Sequence, residues 1–310
     1  MSTIQDNSEL LFLYETSYNI PNGDPFTGEQ RYDEETKKIL VSDVRMKRYV
    51  RTYLEENGQN IYVTNKYGDD AKDAKSILAK IAQAQTETND IGEVMKKLID
   101  VRLFGGVSTL EEKPKIANKD YVNGHVQYTG PVQFALLNPS LNKVNLRMHQ
   151  NTSHFTSKAE NSQGAIATTT VVPYSVMQIH GWINPAVANT TGMTEDDKQK
   201  LFKGLWYGTN GNGSSFSRSK IGQDSLLLLE IVYKDPHTKI YGLDRLINII
   251  PNDSKKEEEI RSMDDYVFDF SKLVDAVKSD KVAQLRYYTE FSELESALNE
   301  IGDKLQKLNL

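Results

Sequence analysis

Arg45, Lys47, Arg48 and Arg51 gather four cations within about two helical turns. They interleave with Met46, Tyr49, Val50 and Tyr53, which recur at the i, i+3, i+4, i+7 spacing of an amphipathic helix. The apolar stripe is the side that packs, so the cations are expected on the opposite side of the wheel. Such a face can lie along a phosphate backbone, each cation neutralising a phosphate and releasing counterions. A solvated basic surface is the simpler meaning of the same pattern. Ser42 suits the N-cap, Asp43 suits the first turn, and Asn57-Gly58 should end the helix.

Two further stretches carry similar chemistry. The Gly-rich run at 208–213 leads into Ser214, Ser215, Ser217, Arg218 and Lys220, a source of backbone N–H groups, hydroxyls and two cations for phosphate or sugar. It is not a P-loop, since no G-x-x-x-x-G-K-[ST] occurs, and a surface connection explains it equally well. The polar stretch 138–168 interleaves Lys143, Arg147 and Lys158 with Met148, His149, His154 and Phe155. Cations among stackable side chains are what a single-strand binder uses. A loop without order, or Met148 and Phe155 as partial core anchors, would leave the same trace.

Catalytic constellations are sparse. His149 and His154 are five apart, not the i, i+4 of a helical metal pair, and no acidic partner completes a site. Hydrolase, zincin and kinase signatures are absent, and with no Cys there is no thiol nucleophile, disulfide or Cys-ligated metal. Asp24 could serve an RNA-cleaving site. An Asx-type turn at Asp24 and a helix-start role for Asp43 are the plainer readings. No catalytic residue, metal or cofactor is therefore expected.

These residues need elements to position them. The apolar run Leu10–Tyr14 reads as a buried strand that ends in the turn cluster Asn19 to Pro25. Helical stretches are expected at 71–85, at 91–104 up to Gly105-Gly106, and from Thr194 through Trp206. Strands are expected at 130–137, at 168–183 with Pro173 forcing an edge or a bulge, and at 226–233. Phe291, Leu294, Leu298, Ile301, Leu305 and Leu308 repeat at spacings of three and four. The economical architecture is α+β, with helices on one face of a largely antiparallel sheet.

The 310 residues have globular composition, and no apolar run approaches the ~20 residues of a membrane span. A cytoplasmic protein without a membrane partner is expected. The net charge of −6 argues against a surface that binds nucleic acid all over. It is unevenly spread: residues 138–222 hold eight Lys/Arg against four acids, and residues 255–310 hold nine against thirteen. A basic groove and an acidic remainder are consistent with that partition.

Ordered segments carry a resemblance: Leu11-Phe12-Leu13-Tyr14 into Asn22-Gly23-Asp24-Pro25, then Leu40 to Arg48, Val101-Arg102-Leu103-Phe104-Gly105-Gly106, Thr129 to Phe134, and Val172-Pro173-Tyr174 through His180-Gly181. Over residues 9–235 the chain resembles the CRISPR-associated backbone subunit (RAMP superfamily) of type I Cascade complexes, nearest the type I-B branch. The resemblance implies a single domain over 1–310, an RNA-recognition-motif-like (ferredoxin-like) palm. A helical insertion at 58–128, a thumb-like β-hairpin at 138–170 and an acidic region at 255–310 completing the palm belong to the same expectation. It also implies a non-enzymatic role in antiviral defence, in which copies stack in a helical filament along one guide (crRNA). They grip its phosphates without reading sequence, displace a base at intervals and present the rest to target DNA, beside other Cascade subunits. RNA contacts are implied for Asn22, Ser42, Arg45, Lys47, Arg48, Arg51, Gly105, Gly106, Arg147, Met148, His149, Phe155, Ser217, Arg218 and Lys220. An RNA endonuclease using Asp24, as in more distant RNA-targeting relatives, is the alternative.

Overall fold

The computed structural model describes residues 2–71, 73–85, 87–152, 166–210 and 219–310. The chain begins with β1 (Ser8–Asn19), β2 (Tyr32–Asp33), β3 (Lys38–Ser42) and α1 (Asp43–Glu56), followed by α2 (Ala74–Ala84), α3 (Ile91–Lys96) and α4 (Ile99–Phe104). Short strands β4 (Gly105–Thr109), β5 (Lys115–Ile116), β6 (Lys119–Asp120), β7 (His125–Thr129), β8 (Val132–Phe134) and β9 (Leu137–Pro139) lead to β10 (Arg147–Thr152) and β11 (Ile166–Ile183). Then come α5 (Pro185–Thr191), α6 (Glu195–Thr209), β12 (Gln223–Tyr233), β13 (Asn248–Pro251), β14 (Tyr266–Asp269), α7 (Ser271–Lys278), β15 (Val282–Tyr288), α8 (Ser292–Leu298) and β16 (Leu305–Lys307).

The central sheet runs β10-β11-β1-β12-β15-β16, with β8 also paired to β11. Its pairs are antiparallel except β15 with β16. Helices cover both faces, where one covered face was expected. Leu10, Phe12 and Tyr14 of β1 join a core with Met46, Tyr49 and Val50 of α1 and Phe202 and Trp206 of α6. Leu11 and Leu13 enter a second core with Leu273 and Val277 of α7, Leu285 of β15 and Leu294 and Leu298 of α8. An unbroken apolar run, rather than an alternating one, is what a strand buried on both faces requires. Each such side chain contributes on the order of 2 kcal/mol. The C-terminal stripe therefore packs on its own chain, and its spacing is shared between α8 and β16.

A third cluster, with Tyr62, Leu78, Ile81, Val94, Met95, Val101 and Tyr121, lies within the insertion expected at 58–128. The single helix expected at 91–104 is two helices, because Leu98 is extended (φ −90°, ψ 122°). The break presents the buried Asp100 carboxylate to the N–H groups of Tyr62 (2.7 Å) and Val63 (3.1 Å).

β11 pairs with β10 from Ile166 to Val171 and with β1 from Val172 onward. Pro173 sits just past this handover, opposite Tyr18, whose φ of 47° marks the irregularity. Residues 138–144, expected within the hairpin, are instead fastened to the body. Asn138 accepts from His180 N (2.9 Å) and donates to Val41 O (3.1 Å), and Asn142 accepts from Val176 N (2.9 Å). The stretch is also strand-paired, β9 running antiparallel to β3 with Asn138 opposite Val41, and the buried asparagines add side-chain hydrogen bonds to that pairing, which is why it looked like a polar insertion. Nor do all cations of 138–222 line a groove. Lys198 is buried and pairs with the buried Glu230 (3.2 Å), which also meets Arg286 (3.1 Å).

Candidate nucleic-acid interface

The start of α1 is built from both sides. Ser42 ends β3 and caps the helix, its Oγ accepting from Arg45 N (3.4 Å). The buried Asn22 accepts from Ser42 N (2.7 Å), while its own N–H donates to Gln30 (2.9 Å). Asn22 thus clamps the loop after β1 to the helix start, and both residues border an open groove of about 570 Å³.

The four cations of α1 divide. Arg45 lies over the Tyr49 ring at 3.9 Å, and its Nε and Nη2 are buried with no hydrogen-bond partner among the described residues. Arg48 lines the groove and has no ion pair among the described residues. Lys47 pairs with Asp43 at 3.1 Å. Arg51, expected on the outer face, instead meets Asp100 at 3.0 Å and lies over Phe104 at 5.2 Å. The reason is that α1 is flanked on two sides, by α6 and by the inserted helices, so the wheel has less open surface than an isolated amphipathic helix.

Lys220 approaches from a distant part of the chain. Its ammonium donates to Ile20 O, Ile20 N donates to Ser219 O (3.0 Å), and Asn19 Nδ2 donates to Ile221 O (2.7 Å). Tyr49 Oη donates to Gln223 (2.9 Å), whose amide donates to Lys220 O (3.0 Å). Burial first, and the Arg45 guanidinium second, push the Lys220 ammonium down to about 7. Two cations face each other here and neither has an ion pair among the described residues. Such a site favours an anion.

A second hollow of about 340 Å³ adjoins it across Ile20, lined by Tyr18, His149, Thr169, Val171 and Ser219. Arg147, Met148 and His149 are exposed on β10, Met148 at 72%. The expected contacts Phe155, Ser217 and Arg218 lie outside the described residues, as do His154 and Lys158. Gly105 and Gly106 are accounted for by packing. A Cβ on Gly105 (φ 79°) would fall 2.2 Å from Tyr128 O, and one on Gly106 3.2 Å from Met95.

Asp24 is committed to its turn. Its carboxylate accepts from Phe26 N (2.9 Å) and Thr27 N (3.3 Å) and pairs with Arg31 (3.1 Å). The Phe26 N–H chiefly, with Thr27 and Arg31, holds it below the usual range. Among the described residues no three His, Asp or Glu side chains gather as metal ligands. No described helix is long and apolar enough to cross a membrane.

Sequence reasoning passed over two parts of the groove, Arg31, whose Nε is buried without a hydrogen-bond partner among the described residues, and the apolar rim of Val44, Leu136 and Leu137, and passed over Tyr18 in the second hollow. Arg31 could have been found from its closeness to the Asp24 turn. The rim could not, since Val44 and Leu136 come from separate parts of the chain.

The chain is similar to known proteins throughout. Residues 6–271 match the family described as CRISPR-associated protein Cas7. A protein of that description from Haloferax volcanii is 30% identical over 292 residues, covering 89% of this chain and 84% of the relative. Among solved structures, a chain of a CRISPR RNA-guided surveillance complex in a pre-nicking state superposes with a TM-score of 0.53 at 12% identity, covering 98% of this chain and 96% of that one. A chain of another CRISPR RNA-guided surveillance complex gives 0.52 at 12% identity, with 98% and 95% covered. The structural likeness speaks for the fold, a mixed α+β body around a central mixed sheet. With the family match spanning most of the sequence and the relative aligned over nearly all of it, the chain belongs to the CRISPR-associated Cas7 family.

Proposed function

We propose that this chain is a guide-RNA-binding backbone subunit of a type I CRISPR surveillance complex. Copies line up along the crRNA in a helical filament, hold its phosphates without reading base order and present bases to target DNA beside other subunits. The observation that carries the reading is the Arg45–Lys220 pair, two cations at the capped start of a helix with no ion pair, and buried guanidinium nitrogens with no hydrogen-bond partner, among the described residues. Arg31 and Arg48 extend the charge along the groove, and His149 with the exposed hairpin residues extends the path past Ile20. In this reading the central sheet with α1 and α6 is the RNA-recognition-motif-like palm, residues 58–128 the insertion, the β10/β11 hairpin the thumb, and 255–310 the part that completes the palm.

The purified protein should assemble on RNA in steps set by RNA length, on any sequence, with affinity falling steeply as salt rises. A clean monomer without salt-dependent RNA affinity would overturn the reading. An endonuclease has no supporting observation in the geometry, since the Asp24 carboxylate is already occupied by its turn and by Arg31.

A further inference from the structure

We infer that Asp43 makes the groove selective for ribonucleotides, accepting a hydrogen bond from the ribose 2′-hydroxyl of a nucleotide whose phosphate meets Arg45. The inference rests on the reading that this groove holds RNA. Its starting point is a mismatch in the hydrogen-bonding demands of the site. Arg45 Nε and Nη2 and Arg31 Nε are buried donors without acceptors among the described residues, a demand of the kind that phosphate oxygens meet. Asp43, on the same groove, has the opposite need: Oδ2 takes the Lys47 ammonium at 3.1 Å, while Oδ1 is buried with no donor among the described residues.

A phosphodiester has no donor to offer that oxygen and would be repelled by it. The ribose adds one hydroxyl donor close to each phosphate, and deoxyribose adds none. Base amino groups also donate, but they differ from base to base, which would give the site a sequence preference. The carboxylate can turn about its broad, two-fold terminal torsion, so either oxygen can face the groove. Val44, Leu136 and Leu137 line the same groove with apolar surface, which offers the carboxylate no hydrogen bond in place of the hydroxyl's.

The test measures affinities of the full chain for fluorescent RNA, DNA and 2′-fluoro-RNA of equal length, as four homopolymers. The 2′-fluoro polymer keeps the ribose-like pucker but lacks the donor. Wild type should bind RNA at least about tenfold more tightly than either other polymer. Asp43→Ala should shrink that ratio toward one on all four bases, with DNA affinity kept or raised. Asp43→Asn, which retains an acceptor, should keep most of the preference. An unchanged ratio in Asp43→Ala, an effect that follows base identity, or wild type binding 2′-fluoro-RNA as tightly as RNA would each overturn the inference while leaving RNA binding in place. The 2′-fluoro comparison needs no variant, so equal binding of the two polymers overturns the inference even if Asp43→Ala does not fold. Wild type binding none of the polymers would remove the reading of the groove itself.

Discussion

Arg51 and Asp100 form an ion pair of 3.0 Å between α1 and α4, with Asp100 buried and its carboxylate also accepting the N–H groups of Tyr62 and Val63. The pair joins the helix that borders the groove to the inserted helices. It therefore fixes the groove's wall without touching its contents.

Arg51→Ala strands a buried carboxylate and should cost about 3 kcal/mol of stability. RNA affinity of the folded protein should change little. Chemical denaturation and RNA titration on the same preparation check both halves, and a large loss of affinity with unchanged stability would count against this division of labour.

Arg45→Ala and Arg48→Ala should do the reverse. Each is expected to weaken RNA binding by on the order of tenfold and to flatten the dependence of log affinity on log salt by about one unit, alike for all sequences. Melting temperatures should stay close to wild type.

Lys220 gives a pH signature. Unfolded, it holds its proton to about 10.5, and folded only to about 7, so stability should rise with pH between those values as the folding penalty on its charge is relieved. RNA binding has the opposite sign. A phosphate favours the charged form, so affinity should be greatest below 7 and fall by up to about tenfold per pH unit above it. Lys220→Arg should abolish that decline, which titrations from pH 6 to 9 would reveal.

Gly105→Ala should destabilise strongly, by more than about 2 kcal/mol, because the new Cβ meets Tyr128 O at 2.2 Å and Gly130 N at 2.6 Å in a positive-φ backbone. Thermal melts of that variant against Gly68→Ala, where the Cβ would meet nothing, separate the close approach from backbone strain alone.

Local features were legible in the sequence wherever one segment specified them. Ser42 as the cap of α1, Asn57 as its end, and the strands built on the apolar runs around Phe12 and Leu228 follow from neighbours a few residues away, and both of those side chains reach the first core. What escaped depends on partners far along the chain. Arg51 could not be told from Arg48 until Asp100 arrived 49 residues later, and the meaning of Lys220 depended on Arg45. Helices on both faces were hidden for a related reason: two-sided burial of β1 is written in its run, but which helix takes which face is not. The asparagines of 138–144 misled because buried polar side chains that brace a short paired strand have the composition of a loop.

β11 is one strand of 18 residues shared by two partners, the hairpin strand β10 at one end and the central β1 at the other. A lever made this way has no loop at its base, only the irregularity at Pro173 and Tyr18. At about 3.3 Å per residue it extends for roughly 60 Å, and a load applied along the hairpin is carried in shear by the whole row of β1 hydrogen bonds at once, instead of parting them one by one. The pairing of Arg147–Thr152 with β11 is thus mechanically an extension of a sheet whose central strand is buried on both faces.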